Sequence, residues 1–144
     1  MNQYRPSTTV RWTGAALLVA AAIIHVVLIP QYPIPALQIL FVLSALGLTV
    51  GAVLLAVGAP TLGWVLGGGT ALLTAIGYVV RSTLGIPGVL PFAFPFFSPP
   101  TGPISVLLEL IAVGLAARAL RGSARPIRAA VIAEMQDRVR SRAS

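Results

Sequence analysis

Residues 36–58 read ALQILFVLSALGLTVGAVLLAVG, twenty-three residues without one charged side chain. At roughly 1.5 Å per residue, a helix of this length reaches about 35 Å, which is enough to cross a hydrocarbon core about 30 Å thick. Three other stretches, 13–29, 62–80 and 104–120, are also long and apolar, and only the last contains charged residues. The sequence therefore predicts an all-α polytopic membrane protein built as a four-transmembrane-helix bundle.

The composition of the whole chain agrees with this prediction. Of the 144 residues, 57% are hydrophobic and only 9% are charged, whereas about 25% of the residues in soluble domains are charged. The chain has no cysteine, one histidine and no aspartate within the predicted spans. These counts exclude disulfides, iron–sulfur clusters, His-rich metal sites and an intramembrane Ser–His–Asp triad. We therefore expect a protein without a cofactor or metal, and not an enzyme.

The arginines predict the orientation of the bundle. The chain has ten arginines and no lysine, with a net charge of +7. Two arginines precede the first span and seven follow residue 117, so the positive-inside rule places both termini in the cytoplasm. The connector before the second span, 30–35, and the connector after the third span, 81–103, then face outward. The expected location is the bacterial cytoplasmic (inner) membrane, with no nucleic-acid partner.

Two segments lie outside the spans. Residues 123–144 are expected to form a basic cytoplasmic tail, distinct from the transmembrane domain at 1–122. Its apolar residues recur every four positions, which predicts an interfacial amphipathic helix on anionic lipid; the alternative is a solvated helix. The second segment, the connector 81–103, contains four phenylalanines. They predict either a plug at the membrane surface or an aromatic box that binds a ligand. These residues are Ile127, Val131, Met135 and Val139 in the tail, and Phe92, Phe94, Phe96 and Phe97 in the connector.

Four polar residues are candidates for binding a ligand or a proton, because ionisable groups within a membrane are costly. His25 and Glu109 lie at a similar predicted depth in the outer part of the bundle, and Tyr78 and Arg81 end the third span. Each also has a structural interpretation. His25 would be a hydrogen-bonded core imidazole, Glu109 a carboxyl group protonated or paired with Arg81, and Arg81 a snorkelling anchor. Tyr78 would be an interfacial aromatic residue, together with Tyr32 and Trp64.

Small residues predict where the helices pack most tightly. Gly47 and Gly51 form one small-xxx-small pair, and Gly63 and Gly67 form another. Such pairs let helix backbones approach closely in a membrane. Both pairs belong to the predicted cytoplasmic half, so we expect a bundle that is closed on the inside and looser toward the outside.

The sequence also resembles a group of uncharacterised small four-span integral membrane proteins of GC-rich, actinobacterial-type bacteria. The resemblance implies a four-helix bundle of this layout and supplies no activity. It depends on a histidine before a proline-containing connector, a short segment after the third span and a Gly-Ser-Glu pattern that opens the fourth. The matching residues are His25, Tyr78, Arg81, Ser82, Thr83, Gly85, Ile86, Pro87, Gly88, Gly102, Ser105 and Glu109.

Three functions remain open at this point. The first is a non-enzymatic membrane protein, either an accessory subunit of a larger membrane complex or homo-oligomer, or a module that binds a lipid or hydrophobic ligand in its outer half. The alternative is a small proton-coupled transporter that uses Glu109. A lipid-modifying enzyme is third.

Overall fold

A computed structural model describes residues 7–85 and 100–143, with side chains for 7–85 and 100–122. The described part is helical, and four of its helices are long and apolar enough to cross a membrane. The predicted phenylalanine plug lies outside the described residues. The helices are α1 (Thr8–Leu28), α2 (Pro35–Ala56), α3 (Pro60–Thr83) and α4 (Thr101–Ala143), with a short 3₁₀ turn at Ile29–Gln31.

The helix ends follow from local sequence signals. The Ser7 side chain accepts a hydrogen bond from the Val10 backbone N–H and caps α1. Proline begins both α2 and α3, where its missing N–H costs nothing. Gly58, between α2 and α3, has a φ of 91°, a left-handed conformation that favours glycine. The ends of these helices are therefore encoded locally as well as by hydropathy.

Two helices extend beyond the predicted spans. Helix α3 continues to Thr83, so Arg81 lies within a helix and not after one. The backbone of α4 is helical without interruption to Ala143. The predicted domain boundary at residue 122 therefore does not coincide with the end of a helix, although Pro126 follows it closely.

The four helices form a closed ring in which each packs against the next and α4 returns to α1. We call the end that contains residues 29–34 and 84–85 the connector end, and the end that contains residues 57–59 the turn end. The diagonal helices α1 and α3 touch only briefly. Their contacts lie in the half near the turn end, where Gly14 meets Trp64 and Leu18 meets Gly67.

The half of the bundle near the turn end is closed because glycines, which have no side chain, let α2 and α3 pack closely there. A Cβ atom added to Gly51 would collide with the backbone Cα of Gly67. A Cβ atom on Gly47 would lie 2.6 Å from the Thr70 Oγ1 atom, and one on Gly63 would lie 2.8 Å from the Leu55 backbone nitrogen. All four glycines singled out in the sequence thus lie at helix contacts.

Apolar and polar side chains are distributed in the reverse of the soluble pattern. Large aliphatic residues cover the outside, with Leu73 71% exposed, whereas His25, Arg81 and Glu109 are buried. Such a surface suits lipid, because lipid offers polar groups no hydrogen bonds. The interpretation of Trp64 as an interfacial residue is wrong: it is 1% exposed and belongs to the core, where it packs against the bare backbone of Gly14.

Arg11 joins two helices at the turn end. Its Nε and Nη2 atoms donate to the carbonyl oxygens of Leu55 and Ala56 at 3.1 and 3.3 Å, and so satisfy carbonyls that the end of α2 leaves without helical partners. We expect Arg11→Ala to lower the free energy of unfolding by about 1–3 kcal/mol. Thermal unfolding in detergent measures this. The exposed Arg118 is a matched control, and equal losses in Arg11→Ala and Arg118→Ala would contradict the capping role.

Candidate functional site

A cavity of about 390 Å³ occupies the half of the bundle near the connector end. All four helices and the first connector contribute to its wall, which is mainly apolar with a few polar groups. The lining residues are His25, Leu28, Tyr32, Leu37, Leu40, Phe41, Leu43, Ser44, Thr70, Leu73, Thr74, Gly77, Tyr78, Arg81, Ser82, Gly102, Ser105, Val106 and Glu109. The bundle is therefore tight at the turn end and open near the connector end, as the glycine pairs predict.

The deep layer of polar groups in this cavity is formed by His25, Thr74, Ser105 and Glu109. The Ser105 hydroxyl donates to Glu109 Oε1 at 2.9 Å, and His25 Nε2 lies 3.5 Å from the same oxygen. Thr74 is a further hydrogen-bonding neighbour of the carboxyl group. Glu109 is only 1% exposed. A buried carboxyl group with three polar neighbours is held in one position.

The geometry of His25 limits where the protons of this layer can be. His25 Nδ1 lies 2.9 Å from the backbone oxygen of Ala21, and a carbonyl oxygen can only accept, so Nδ1 carries a proton. The Nε2 atom then faces Glu109 either as a second N–H beside a carboxylate or as a lone pair beside a protonated carboxyl. In each of these two states the pair has no net charge. Histidine and glutamate in this arrangement can exchange a proton without a change in the charge of the cavity.

The upper layer is formed by Tyr32, Tyr78, Arg81 and Ser82. The Arg81 guanidinium carbon lies 4.7 Å from the centroid of the Tyr32 ring, a cation–π arrangement. The Tyr78 hydroxyl packs directly against Gly102, and Ser82 is its hydrogen-bonding neighbour. This layer contains one guanidinium and three hydroxyl groups.

The two layers are separate. Arg81 follows Thr74 by seven residues of α3, which corresponds to about 10 Å along the helix axis. The neighbours of Glu109 are His25, Ser105 and Thr74, and Arg81 is not among them. The structure thus brings His25 and Glu109 together and puts Tyr78 and Arg81 one layer higher. Of the interpretations that the sequence left open for Glu109, pairing with Arg81 does not match this arrangement, and the neighbour of Glu109 among the candidates is His25.

Two further aromatic and polar positions were not among the sequence candidates. Phe41 bridges the layers, with its ring centroid 5.9 Å from that of His25 and 5.7 Å from that of Tyr32. Ser44 lies one turn further along α2. Leu37, Phe41 and Ser44 recur at helical spacing, which could have indicated that they share one face of α2. Because α2 has apolar residues on every face, hydropathy does not reveal which face lines the cavity. Tyr32, interpreted as interfacial, is buried beneath Arg81 instead.

Searches of protein-family models, curated proteins and solved structures find no match to this chain. Within the residues that the structure describes, no group of three or more His, Cys, Asp or Glu side chains is placed to hold a metal ion. What the cavity can do chemically is bind an apolar molecule, hydrogen-bond its polar groups and exchange one proton.

Proposed function

We propose that this protein is a multi-pass integral membrane protein, without enzymatic activity, that binds a hydrophobic ligand in the cavity near its connector end. Four helices of sufficient length and an aliphatic exterior support the membrane location. The ligand-binding role is favoured over a purely accessory subunit by one observation, the cavity itself. A protein that only filled a place in a larger complex would have no need for an open interior.

The cavity has the features of a small-molecule site. Its volume of about 390 Å³ lies within the range of such pockets, which are mostly apolar with a few convergent polar groups. The apolar wall would provide affinity, since each buried methylene contributes about 0.8 kcal/mol. The deep layer and the upper layer would fix the orientation of the ligand through hydrogen bonds and charge.

We also propose that both termini face the cytoplasm of a bacterium and that the connector end faces outward. Arg11 and Arg118 lie near the turn end, where α1 begins and where the transmembrane part of α4 ends. The basic residues of the tail would add attraction to anionic lipid on the cytoplasmic side.

Filling the cavity is expected to remove the ligand. Ser44→Leu adds a branched side chain to the cavity wall of α2, whereas Thr49→Leu adds it to an exposed position of the same helix outside the cavity. Native mass spectrometry of each protein, purified in mild detergent, would measure the retained small molecule. We expect at least about a tenfold loss with Ser44→Leu, equivalent to about 1.4 kcal/mol, and none with Thr49→Leu. Equal retention by both variants would exclude the cavity as a binding site.

Proton-coupled transport remains a second candidate because the buried pair of His25 and Glu109 forms part of the cavity wall. In that case the ligand would leave as the pair exchanges its proton with water. A transported ligand would cross vesicle membranes in response to a pH gradient, whereas a binding module would hold its ligand without net movement.

A further inference from the structure

We propose that the ligand is a phospholipid of the surrounding leaflet, that it enters the cavity sideways between α2 and α3, and that Arg81 binds its phosphate. This inference rests on the proposed function and specifies it further. It follows from the position of the cavity mouth, from the charge of the cavity and from the depth of Arg81.

The mouth of the cavity lies between α2 and α3. Leu40 and Leu43 of α2 and Leu73 of α3 all line the cavity, yet they are 52%, 58% and 71% exposed. A residue that lines a cavity and also faces outward borders its opening. The opening is therefore edged by leucines, which would contact acyl chains and not water.

Glycines shape both the floor and the side of this opening. Gly47 packs against Thr70 at the floor of the opening. Between this contact and the turn end, α2 and α3 pack closely and leave no gap. Two turns further along α3, a Cβ atom on Gly77 would meet nothing within 4 Å, although Gly77 lines the cavity. The two helices are thus in contact near Thr70 and leave free space beside Gly77.

The charge of the cavity favours a single negative charge on the ligand. Glu109 is the one acid among the described lining residues, and its Oε1 atom lies 3.5 Å from His25 Nε2; an imidazolium beside a carboxylate and a neutral imidazole beside a protonated carboxyl both give this pair no net charge. Arg81 then leaves the cavity with a charge of about +1, which complements a phosphodiester. Stacking on Tyr32 uses the face of the guanidinium, whereas hydrogen bonds to phosphate use its edge. The Tyr78 and Ser82 hydroxyls are hydrogen-bonded to each other, so this pair can supply one additional donor in the same layer.

The depth of these groups matches a lipid in its own leaflet. Arg81 lies two residues before the end of α3, about 3 Å from the helix end, where headgroups begin. Leu73 lies ten residues before that end, about 15 Å deep, at the level of the acyl chains. A phospholipid could therefore place its phosphate at Arg81 and keep its chains in the mouth without a change in depth.

Three probes test this inference on the full chain in detergent by native mass spectrometry: phosphatidylglycerol, diacylglycerol with the same chains, and inorganic phosphate. We expect phosphatidylglycerol to bind about tenfold more tightly than diacylglycerol, and phosphate alone not to compete. Arg81→Gln should remove this preference, whereas Arg81→Lys and the exposed control Arg118→Gln should keep it. Gly77→Leu should weaken both lipids about tenfold by narrowing the mouth.

Matched controls separate the possible results. Gly69 of α3 also has nothing within 4 Å but does not line the cavity, so Gly69→Leu should leave binding unchanged. Equal affinity for diacylglycerol and phosphatidylglycerol would overturn the role of Arg81, and competition by phosphate would replace the lipid with a free anion. Unchanged binding in Gly77→Leu would overturn the lateral route. In each of these three cases, loss of the retained ligand in Ser44→Leu would still support the proposed function. If Ser44→Leu retained its ligand, both the proposed function and this inference would be overturned.

Discussion

Gly51→Ala is expected to destabilise the bundle strongly, because it adds a methyl group where the backbones of α2 and α3 are in contact. The new Cβ atom would collide with the Cα atom of Gly67, and it would also lie 2.7 Å from the Gly67 backbone nitrogen. Because both are backbone atoms, no side-chain rotation relieves the clash, and α2 must move away from α3. We expect a loss of about 3 kcal/mol in the free energy of unfolding, at the upper end of overpacking effects.

A glycine in open space provides the control for this prediction. Nothing lies within 4 Å of a Cβ atom added to Gly69, which lies two residues after Gly67 in α3. Gly69→Ala should therefore stabilise the protein by up to about 1 kcal/mol, since alanine is the better helix former. Unfolding of the purified variants in detergent, followed by loss of helical circular dichroism, measures both changes. Similar unfolding curves for the two variants would contradict the close packing of Gly51 on Gly67.

The architecture of this chain follows from sequence patterns that act over short distances. Each apolar stretch is long enough to span a membrane, and prolines at 35 and 60 mark where two of the helices begin. The pairs Gly47–Gly51 and Gly63–Gly67 indicate where α2 and α3 approach. These signals depend on the properties of single segments, which is why they can be interpreted without knowledge of the neighbours.

The partners within the site could not be predicted in the same way. The rise per residue of a helix gives the depth of His25 and Glu109 in the bundle. In the structure His25 Nε2 lies 3.5 Å from Glu109 Oε1. Rise does not give the rotation of each helix, so the sequence could not distinguish His25 from Arg81 as the partner of Glu109. Arg81 instead contacts Tyr32, which lies in a connector whose path depends on the packing of Leu28 and Leu37.

Helix α2 shows why part of the cavity wall was missed. Its residues are apolar on all sides, so hydropathy does not distinguish the side that faces lipid from the side that faces the cavity. Phe41 is recognisable as a site residue only from its ring contacts with His25 and Tyr32. In a membrane helix the small and polar residues carry the information about orientation, and of the two polar residues in this part of α2, Gln38 and Ser44, only Ser44 lines the cavity.

The second large effect is expected at the buried pair of His25 and Glu109. Glu109→Ala should lower the free energy of unfolding by about 3 kcal/mol, because it leaves His25 and Ser105 buried without their shared oxygen. Glu109→Gln retains the size of the side chain and an oxygen that accepts from Ser105, so it should cost less, about 1 kcal/mol. If the protein is a proton-coupled transporter, Glu109→Gln should fold and yet abolish uptake driven by a pH gradient.

A double-mutant cycle decides whether the pair acts as one unit. Since His25 Nε2 lies 3.5 Å from Glu109 Oε1, His25→Ala and Glu109→Ala should show a coupling energy between about 0.5 and 3 kcal/mol. The cycle of Arg81→Gln with Glu109→Ala is the matched control. Because about 10 Å of α3 separates the two layers, its effects should add to within about 0.5 kcal/mol. Coupling of Glu109 to Arg81 and additivity with His25 would reverse this assignment, and would return the carboxyl group to the guanidinium as its ionic partner.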